Sequence, residues 1–167
     1  MQNIEIERKF LIEIPEMNKL DIKRELDIIQ TYLANGKSDS QRRVRKITEN
    51  NNHTYFYTEK IFLTPTERIE KEDKISLNNY EQFLNEAKKD IPPVVKKRIC
   101  FEYQNQLFEM DIYSFSSQFA ILELELDSVS QEIIFPDCIN VLKEVSDDKR
   151  YSNAALAAEN RFPDDNS

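Results

Sequence analysis

Glycine is almost absent: Gly36 is the only one in 167 residues, and tryptophan does not occur. A single glycine excludes the phosphate loops built on glycine backbones, both the Walker type and the dinucleotide fingerprint. Any phosphate bound here is therefore held by side chains. Cys100 and Cys138 are too few for a disulfide framework or a thiolate metal site, and both read as reduced, buried thiols. No apolar run approaches the roughly 20 residues of a membrane-spanning helix, and the first residues carry no apolar signal-peptide core. The expectation is a cytoplasmic protein with no membrane contact. Basic charge is in short supply too, with 23 Lys and Arg against 31 Asp and Glu, a net charge of -8. That balance argues against nucleic acid as a general partner, because displacing counterions from phosphates takes a basic surface. It is still compatible with a basic pocket inside an acidic protein.

What the chain does have is charge in alternation. In Ile4 to Phe10, Glu5, Glu7 and Lys9 share one face of a strand while Ile4, Ile6 and Phe10 point the other way. One such strand is an ordinary solvated face. The pattern recurs, however, in Gln41 to Ile47 (Arg43, Arg45), Thr54 to Phe62 (Phe56, Thr58, Lys60) and Glu67 to Glu72 (Arg68, Glu70, Glu72). It recurs again in Val94 to Tyr103 (Lys96, Arg98, Cys100, Glu102), Leu107 to Tyr113 (Glu109, Asp111) and Ala120 to Leu126 (Glu123, Glu125). Several of these strands carry one sign only. Like charges at neighbouring same-face positions repel unless something of opposite sign lies between them, either facing strands or a ligand with metal ions.

Asn replaces Gly where positive φ is needed, so Asn50-Asn51-Asn52 and Gln104-Asn105-Gln106 read as hairpin turns. Pro15 to Asp27 reads as a helix or irregular excursion leading to a strand over Ile28 to Ala34. Ser76 to Asp90 reads as a helix capped by Ser76 or Asn78 and stopped by Pro92-Pro93, and Ser152 to Ala158 as a short Ala-rich helix capped by Ser152. His53, the lone histidine, falls at a hairpin and reads as a surface residue. The length suits one domain over 1–160 with a tail over 161–167. About eight or nine strands with few helices predict an α+β, mainly β protein built on a closed antiparallel barrel. Turned inward, the charged faces form a polar tunnel. Its carboxylates are the hard oxygen ligands that Mg²⁺ or Mn²⁺ prefers, and its cations suit a compact polyanion. The chemistry implied is phosphoryl transfer with a divalent metal.

The opening Glu5-Ile6-Glu7-Arg8-Lys9 resembles the ExExK signature of the CYTH superfamily, the triphosphate tunnel metalloenzymes. The resemblance continues in order through Gln30-Thr31-Tyr32-Leu33, Arg43-Val44-Arg45, Thr58-Glu59-Lys60, Arg68-Ile69-Glu70 and Lys96-Lys97-Arg98. It goes on through Glu109-Met110-Asp111, Glu123-Leu124-Glu125, Glu144-Val145-Ser146 and Arg150-Tyr151-Ser152-Asn153. ExExK alone is weak evidence, whereas the ordered series is strong. Two departures are Ile99, where an aromatic often follows the Lys-x-Arg block, and Ser146-Asp147-Asp148, which replaces a Gly-containing turn; neither removes a charged site residue.

The resemblance implies an eight-stranded barrel with flanking helices, a C-terminal segment plugging one tunnel end, and a homodimer whose interface is not legible. It implies a triphosphate bound by Lys9, Arg43, Arg45, Lys60, Arg68, Lys96 and Arg98, and Mg²⁺ or Mn²⁺ bound by Glu5, Glu7, Asp111, Glu123 and Glu125. Glu5 and Glu7 are thereby catalytic, and Lys96 is either a base for the attacking water or only a phosphate ligand. Glu70, Glu109 and Arg150 are weaker candidates, Glu109 as a partner of the basic residues and Arg150 as a ligand neighbour or an anchor. The expected activity is metal-dependent hydrolysis of a triphosphate, inorganic tripolyphosphate ahead of nucleoside triphosphates. A class IV adenylate cyclase, with Phe56 as the candidate for an adenine pocket, and a non-catalytic polyphosphate-binding module are the alternatives.

Overall fold

The computed structural model describes residues 3–34 and 40–164; Gly36 and the last three residues of the expected tail lie outside the described residues. The chain runs β1 (Asn3–Glu13), a 3-10 turn (Met17–Lys19), β2 (Asp21–Tyr32), β3 (Ser40–Glu49), β4 (Asn52–Phe62) and β5 (Glu67–Ile75). It continues with α1 (Leu77–Leu84), β6 (Val94–Tyr103), β7 (Gln106–Tyr113), β8 (Phe119–Leu126), β9 (Val141–Glu144), a 3-10 turn (Lys149–Tyr151) and α2 (Asn153–Glu159). The sheet order is β5-β4-β3-β2-β6-β7-β8-β1-β9, and β1 also pairs with β5. The sheet therefore closes into an eight-stranded antiparallel barrel, with β9 as an added strand, as the charge alternation predicts. Among the described residues no helix is long and apolar enough to cross a membrane.

Closure depends on β1. One edge takes β8 from Ile6 to Glu13. The other edge is divided, with Asn3 to Ile6 on β5 and Phe10 to Ile12 on β9. Glu7 N donates to Thr66 O at 2.9 Å and Val145 N donates to Lys9 O at 2.8 Å, so the edge stays bonded between the two partners.

The main apolar core lies outside the barrel wall. Phe10 and Ile12, Ile99 and Phe101, Phe108 and Met110, and the even residues from Ala120 to Leu126 form one outer face. The return segment covers it through Ile133, Phe135, Cys138 and Ile139, with Phe135 edge-on to Phe10 at 5.1 Å. A second outer patch, on Val44, Tyr55 and Tyr57, lies under α1, where Tyr55 meets Tyr80 and Tyr57 stacks on Phe83, both at 4.8 Å. Arg8, the one charge among the outward residues of β1, is held by Glu144 at 2.6 Å. Cys100 is buried, Cys138 half-buried and both are free thiols. His53 is exposed, with Nδ1 2.8 Å from Thr48 Oγ1.

Two expectations need correction. Pro15 to Asp27 is not a helix: after the 3-10 turn, β2 begins at Asp21 and pairs with β6 over most of its length. Ile22, Leu26 and Ile28 stand on alternate positions, and that period of two outweighs their loose helical spacing. The helix expected over Ser76 to Asp90 ends at Leu84, although Ser76 caps it as read, accepting from Asn79 N at 3.1 Å. Its last turn is drawn to the end of β2, where Ala34 N donates to Glu86 O and Lys88 N to Tyr32 O, and Ala87 bridges Leu33. The Ala-rich helix forms as read, with Ser152 accepting from Ala155 N.

Both hairpins close on left-handed Asn or Gln. Asn50 and Asn51 have φ of 51° and 66°, Gln104 and Asn105 of 52° and 59°, the paired positive values of a type I′ turn. Asn51→Ala is expected to destabilise by about 1 kcal/mol and Asn51→Gly to stay within about 0.5 kcal/mol of the parent, as read by urea unfolding. Equal effects of the two substitutions would show that backbone conformation at this turn does not limit stability.

Candidate active site

Inside the barrel, alternate residues of the strands line a cavity of about 750 Å³. It takes Glu5, Glu7 and Lys9 from β1, Arg43 and Arg45 from β3, Lys60 from β4, and Arg68, Glu70 and Glu72 from β5. Arg98, Glu109, Glu123 and Glu125 come from β6, β7 and β8. That volume suits a small ligand rather than a macromolecule.

The charges interleave rather than form two separate walls. Register places Glu5 beside Arg68, Lys9 beside Glu123, and Lys60 beside Glu70. The resulting contacts are Arg68 to Glu7 at 2.5 Å, Arg68 to Glu5 at 3.5 Å, Lys60 to Glu70 at 3.6 Å, and Lys9 and Arg98 each to Glu123 at 3.7 Å. Arg45 donates to Glu72 at 2.8 Å, as does Thr58 at 3.2 Å. This pairing is incomplete. Among the described residues Arg43 makes no ion pair, and the buried Nε atoms of Arg43, Arg45 and Arg68 have no hydrogen-bond partner. A guanidinium that lines a cavity without an ion pair, as Arg43 does among the described residues, is a site for an anion's oxygens.

Two expected ligands stand back from the cavity. Asp111 is 0% exposed; one oxygen accepts from Lys96 Nζ at 2.6 Å and Arg98 Nη2 at 2.9 Å, the other from Arg98 Nε at 2.7 Å. Both oxygens are engaged by cations and Asp111 is absent from the cavity lining. Lys96, 3% exposed, lies behind Arg98 and reaches Asn153 Oδ1 at 3.4 Å. Burial lowers Lys96 to about 8 against the pull of Asp111, yet the amine faces Asp111 and not the cavity. Arg150 also lies outside the cavity lining, on Asp148 at 2.6 Å.

Gln41 and the segment Phe62 to Pro65 also line the cavity, as do Tyr32 and Asn153, which stand in the motif series without a role of their own. Tyr32 and Gln41 continue the inward alternation of β2 and β3 and could have been found by extending it. Asn153 could not, because its place follows from α2. That helix buries Leu156 among Leu11, Tyr32, Val94, Tyr113, Ile121 and Tyr151 at one end of the barrel, and Asn153 Oδ1 there accepts from Tyr113 Oη as well as from Lys96. Phe56, by contrast, lies under the Arg45 guanidinium at 5.9 Å and is absent from the lining.

The acids are perturbed in opposite directions. Burial, a hydrogen bond with Glu70 and the charges of Glu70 and Glu125 push Glu5 up to about 8, Arg68 opposing. Burial would raise Glu70 too, but the proton held by Glu5 and the charges of Lys60 and Arg43 hold it at about 2. Burial and neighbouring acids raise Glu125. At Glu7 the effect of burial is outweighed by Arg68, Lys9 and Lys60, which hold it at about 2. Burial beside Arg43 and Arg68 lowers Lys60 to about 7.

Among the described residues no three His, Cys, Asp or Glu side chains are gathered tightly enough to ligate a metal as they stand. The donor set nonetheless fits a hard divalent ion: Glu5, Glu7, Glu123 and Glu125 offer carboxylate oxygens to one cavity, and acid crowding keeps a proton at Glu5 that a cation would replace.

A raised carboxyl pKa stabilises the fold at pH below its ordinary value of 4.5, and that contribution is lost as pH rises through about 8. Glu5→Gln removes the loss. In chelator, the variant is expected to gain stability relative to the parent between pH 5 and pH 9, read as the difference in urea midpoint. A constant difference across that range would mean that Glu5 titrates normally.

No protein-family model matches the sequence, and no curated protein matches it significantly. Solved structures do. The inorganic triphosphatase NE1496 is 28% identical over 92% of this chain and 94% of that one, with a TM-score of 0.57. The PH1819 protein of Pyrococcus horikoshii is 18% identical over 75% and 80%, at 0.56. A candidate adenylate cyclase from Bacillus halodurans is 17% identical over 76% and 82%, at 0.52. The last two bear on the fold, while NE1496 adds sequence agreement over nearly the full length of both chains. With the ordered charge motifs and the closed barrel that turns them inward, these neighbours match the CYTH, or triphosphate tunnel, superfamily that the sequence resembles.

Proposed function

We propose that this protein hydrolyses a triphosphate inside the barrel with the help of Mg²⁺ or Mn²⁺, inorganic tripolyphosphate being the main substrate. The observation that carries this reading is the gathering of Lys9, Arg43, Arg45, Lys60, Arg68 and Arg98, with Arg43 in no ion pair among the described residues, on the one cavity that Glu5, Glu7, Glu123 and Glu125 also line. A ligand rich in oxygen acceptors and negative charge matches the first group, and a divalent cation matches the second. The activity of NE1496, an inorganic triphosphatase, supports the same reading.

Lys9, Lys60, Arg43, Arg45, Arg68 and Arg98 neutralise the phosphate chain and fix its direction, and the side chains already stand in place before it arrives. Their value is electrostatic preorganisation, which is what phosphoryl transfer chiefly requires of a protein. Glu5, Glu7, Glu123 and Glu125 would hold a divalent ion, which would supply Lewis acidity toward phosphate oxygens. Lys96 and Asp111 act from behind as positioning residues, since together they hold the Arg98 guanidinium against the cavity wall. The packed cluster around Leu156 closes one end of the barrel to bulk water.

Phosphate release from tripolyphosphate and from ATP, with Mg²⁺, Mn²⁺ or chelator, tests the proposal. Rapid metal-dependent release favouring tripolyphosphate is expected, and Glu123→Gln is expected to lower kcat at least about 100-fold with the fold retained by circular dichroism. Cyclic AMP with pyrophosphate would replace the hydrolase with a cyclase, and tight binding without turnover would leave a binding module.

A further inference from the structure

Asn153 lines the cavity without belonging to a barrel strand: it is the first residue of α2. The oxygen of its amide is spent. Oδ1 accepts from Tyr113 Oη and, at 3.4 Å, from Lys96 Nζ, and neither of those donors lines the cavity. Burial and the charge of Asp111 raise the Tyr113 phenol well above its ordinary value, so it remains a donor.

An amide whose oxygen is turned back toward Tyr113 and Lys96 presents its nitrogen on the opposite side, to the cavity. Nδ2 carries two hydrogens, and among the described residues no acceptor takes either of them. A flip of the amide would set these hydrogens against the Lys96 ammonium, donor against donor, so the orientation is fixed by its neighbours. The backbone beneath it is fixed as well. Ser152 caps α2 by accepting from Ala155 N at 3.1 Å, and Leu156 is buried at the closed end of the barrel. A side chain already immobilised in this way loses little further entropy when it binds a ligand. The wall cations attract any compact anion, whereas an uncharged donor favours only an acceptor atom placed against it.

We infer that Asn153 is a substrate-binding residue whose Nδ2 donates to a phosphate oxygen at the end of the cavity closed by α2. The inference rests on the triphosphate reading of the cavity and adds to its cationic ligands a neutral one, carried by a helix outside the barrel wall.

A tripolyphosphate analogue with methylene bridges, which does not hydrolyse, tests this on the full chain in Mg²⁺ and in chelator. In the ¹⁵N-labelled parent, saturation with the analogue is expected to move an Asn153 side-chain amide proton downfield. By calorimetry, Asn153→Leu is expected to weaken analogue binding about tenfold, the loss of one hydrogen bond to a charged acceptor, while Tyr113→Phe, which spares the amide hydrogens, stays within about twofold of the parent. An Asn153 amide that does not respond to the analogue, or a loss in Tyr113→Phe equal to that in Asn153→Leu, overturns the assignment: Asn153 would then act only by holding its neighbours, and the triphosphate reading would stand. If the parent binds the analogue in neither condition, the triphosphate reading falls and the role of Asn153 falls with it.

Discussion

A charge removed from water needs an opposite charge or a hydrogen bond, and this barrel is lined with charges. That requirement governs its architecture. Register sets Glu5 against Arg68, Lys9 against Glu123, Lys60 against Glu70 and Arg98 against Asp111, so opposite signs stand side by side on facing strands. A slip of one residue would turn Phe10, Phe108 and Leu122 inward and expose the charges to the outer core. Pairing is therefore specified twice, once by apolar contacts outside the wall and once by ion pairs within it. The usual placement of a core inside a barrel is reversed, and the return segment and α1 exist to cover what the inversion exposes.

The same rule sorts the charged residues by task. Lys96 and Asp111 bind each other behind the wall and hold the Arg98 guanidinium in it. Arg43 lines the cavity without an ion pair among the described residues, and Glu5 keeps a proton it would ordinarily lose. Residues of like type thus differ in role because of what lies beside them and not because of their own chemistry.

Much of this was legible in the sequence, because a period of two in charge is a strong signal when it recurs. The inward placement of Glu5, Glu7, Lys9, Arg43, Arg45, Lys60 and Arg68 follows from alternation, and the hairpins follow from Asn where Gly is scarce. What was not legible depended on partners remote in sequence. Asp111 has the same spacing from Glu109 as Glu125 has from Glu123, and only the approach of Lys96 and Arg98 takes it out of the cavity. The segment after Pro15 resembles a helix until β6 is available to pair with it. Phe62 looks like an ordinary hairpin residue, and its position on the cavity depends on how the barrel closes.

The divided edge of β1 bears on how the chain is made. Arg8 and its partner Glu144 are 136 residues apart, and β5, β8 and β9 all lie downstream of the strand they complete. At ribosomal speeds β1 waits roughly ten seconds or more for its last neighbour. Through that interval it is an unpaired strand, the kind of segment that seeds aggregation. Glu5, Glu7, Arg8 and Lys9 interrupt what would otherwise be an apolar β-forming run, so the alternation that later builds the cavity also acts as a gatekeeper during synthesis.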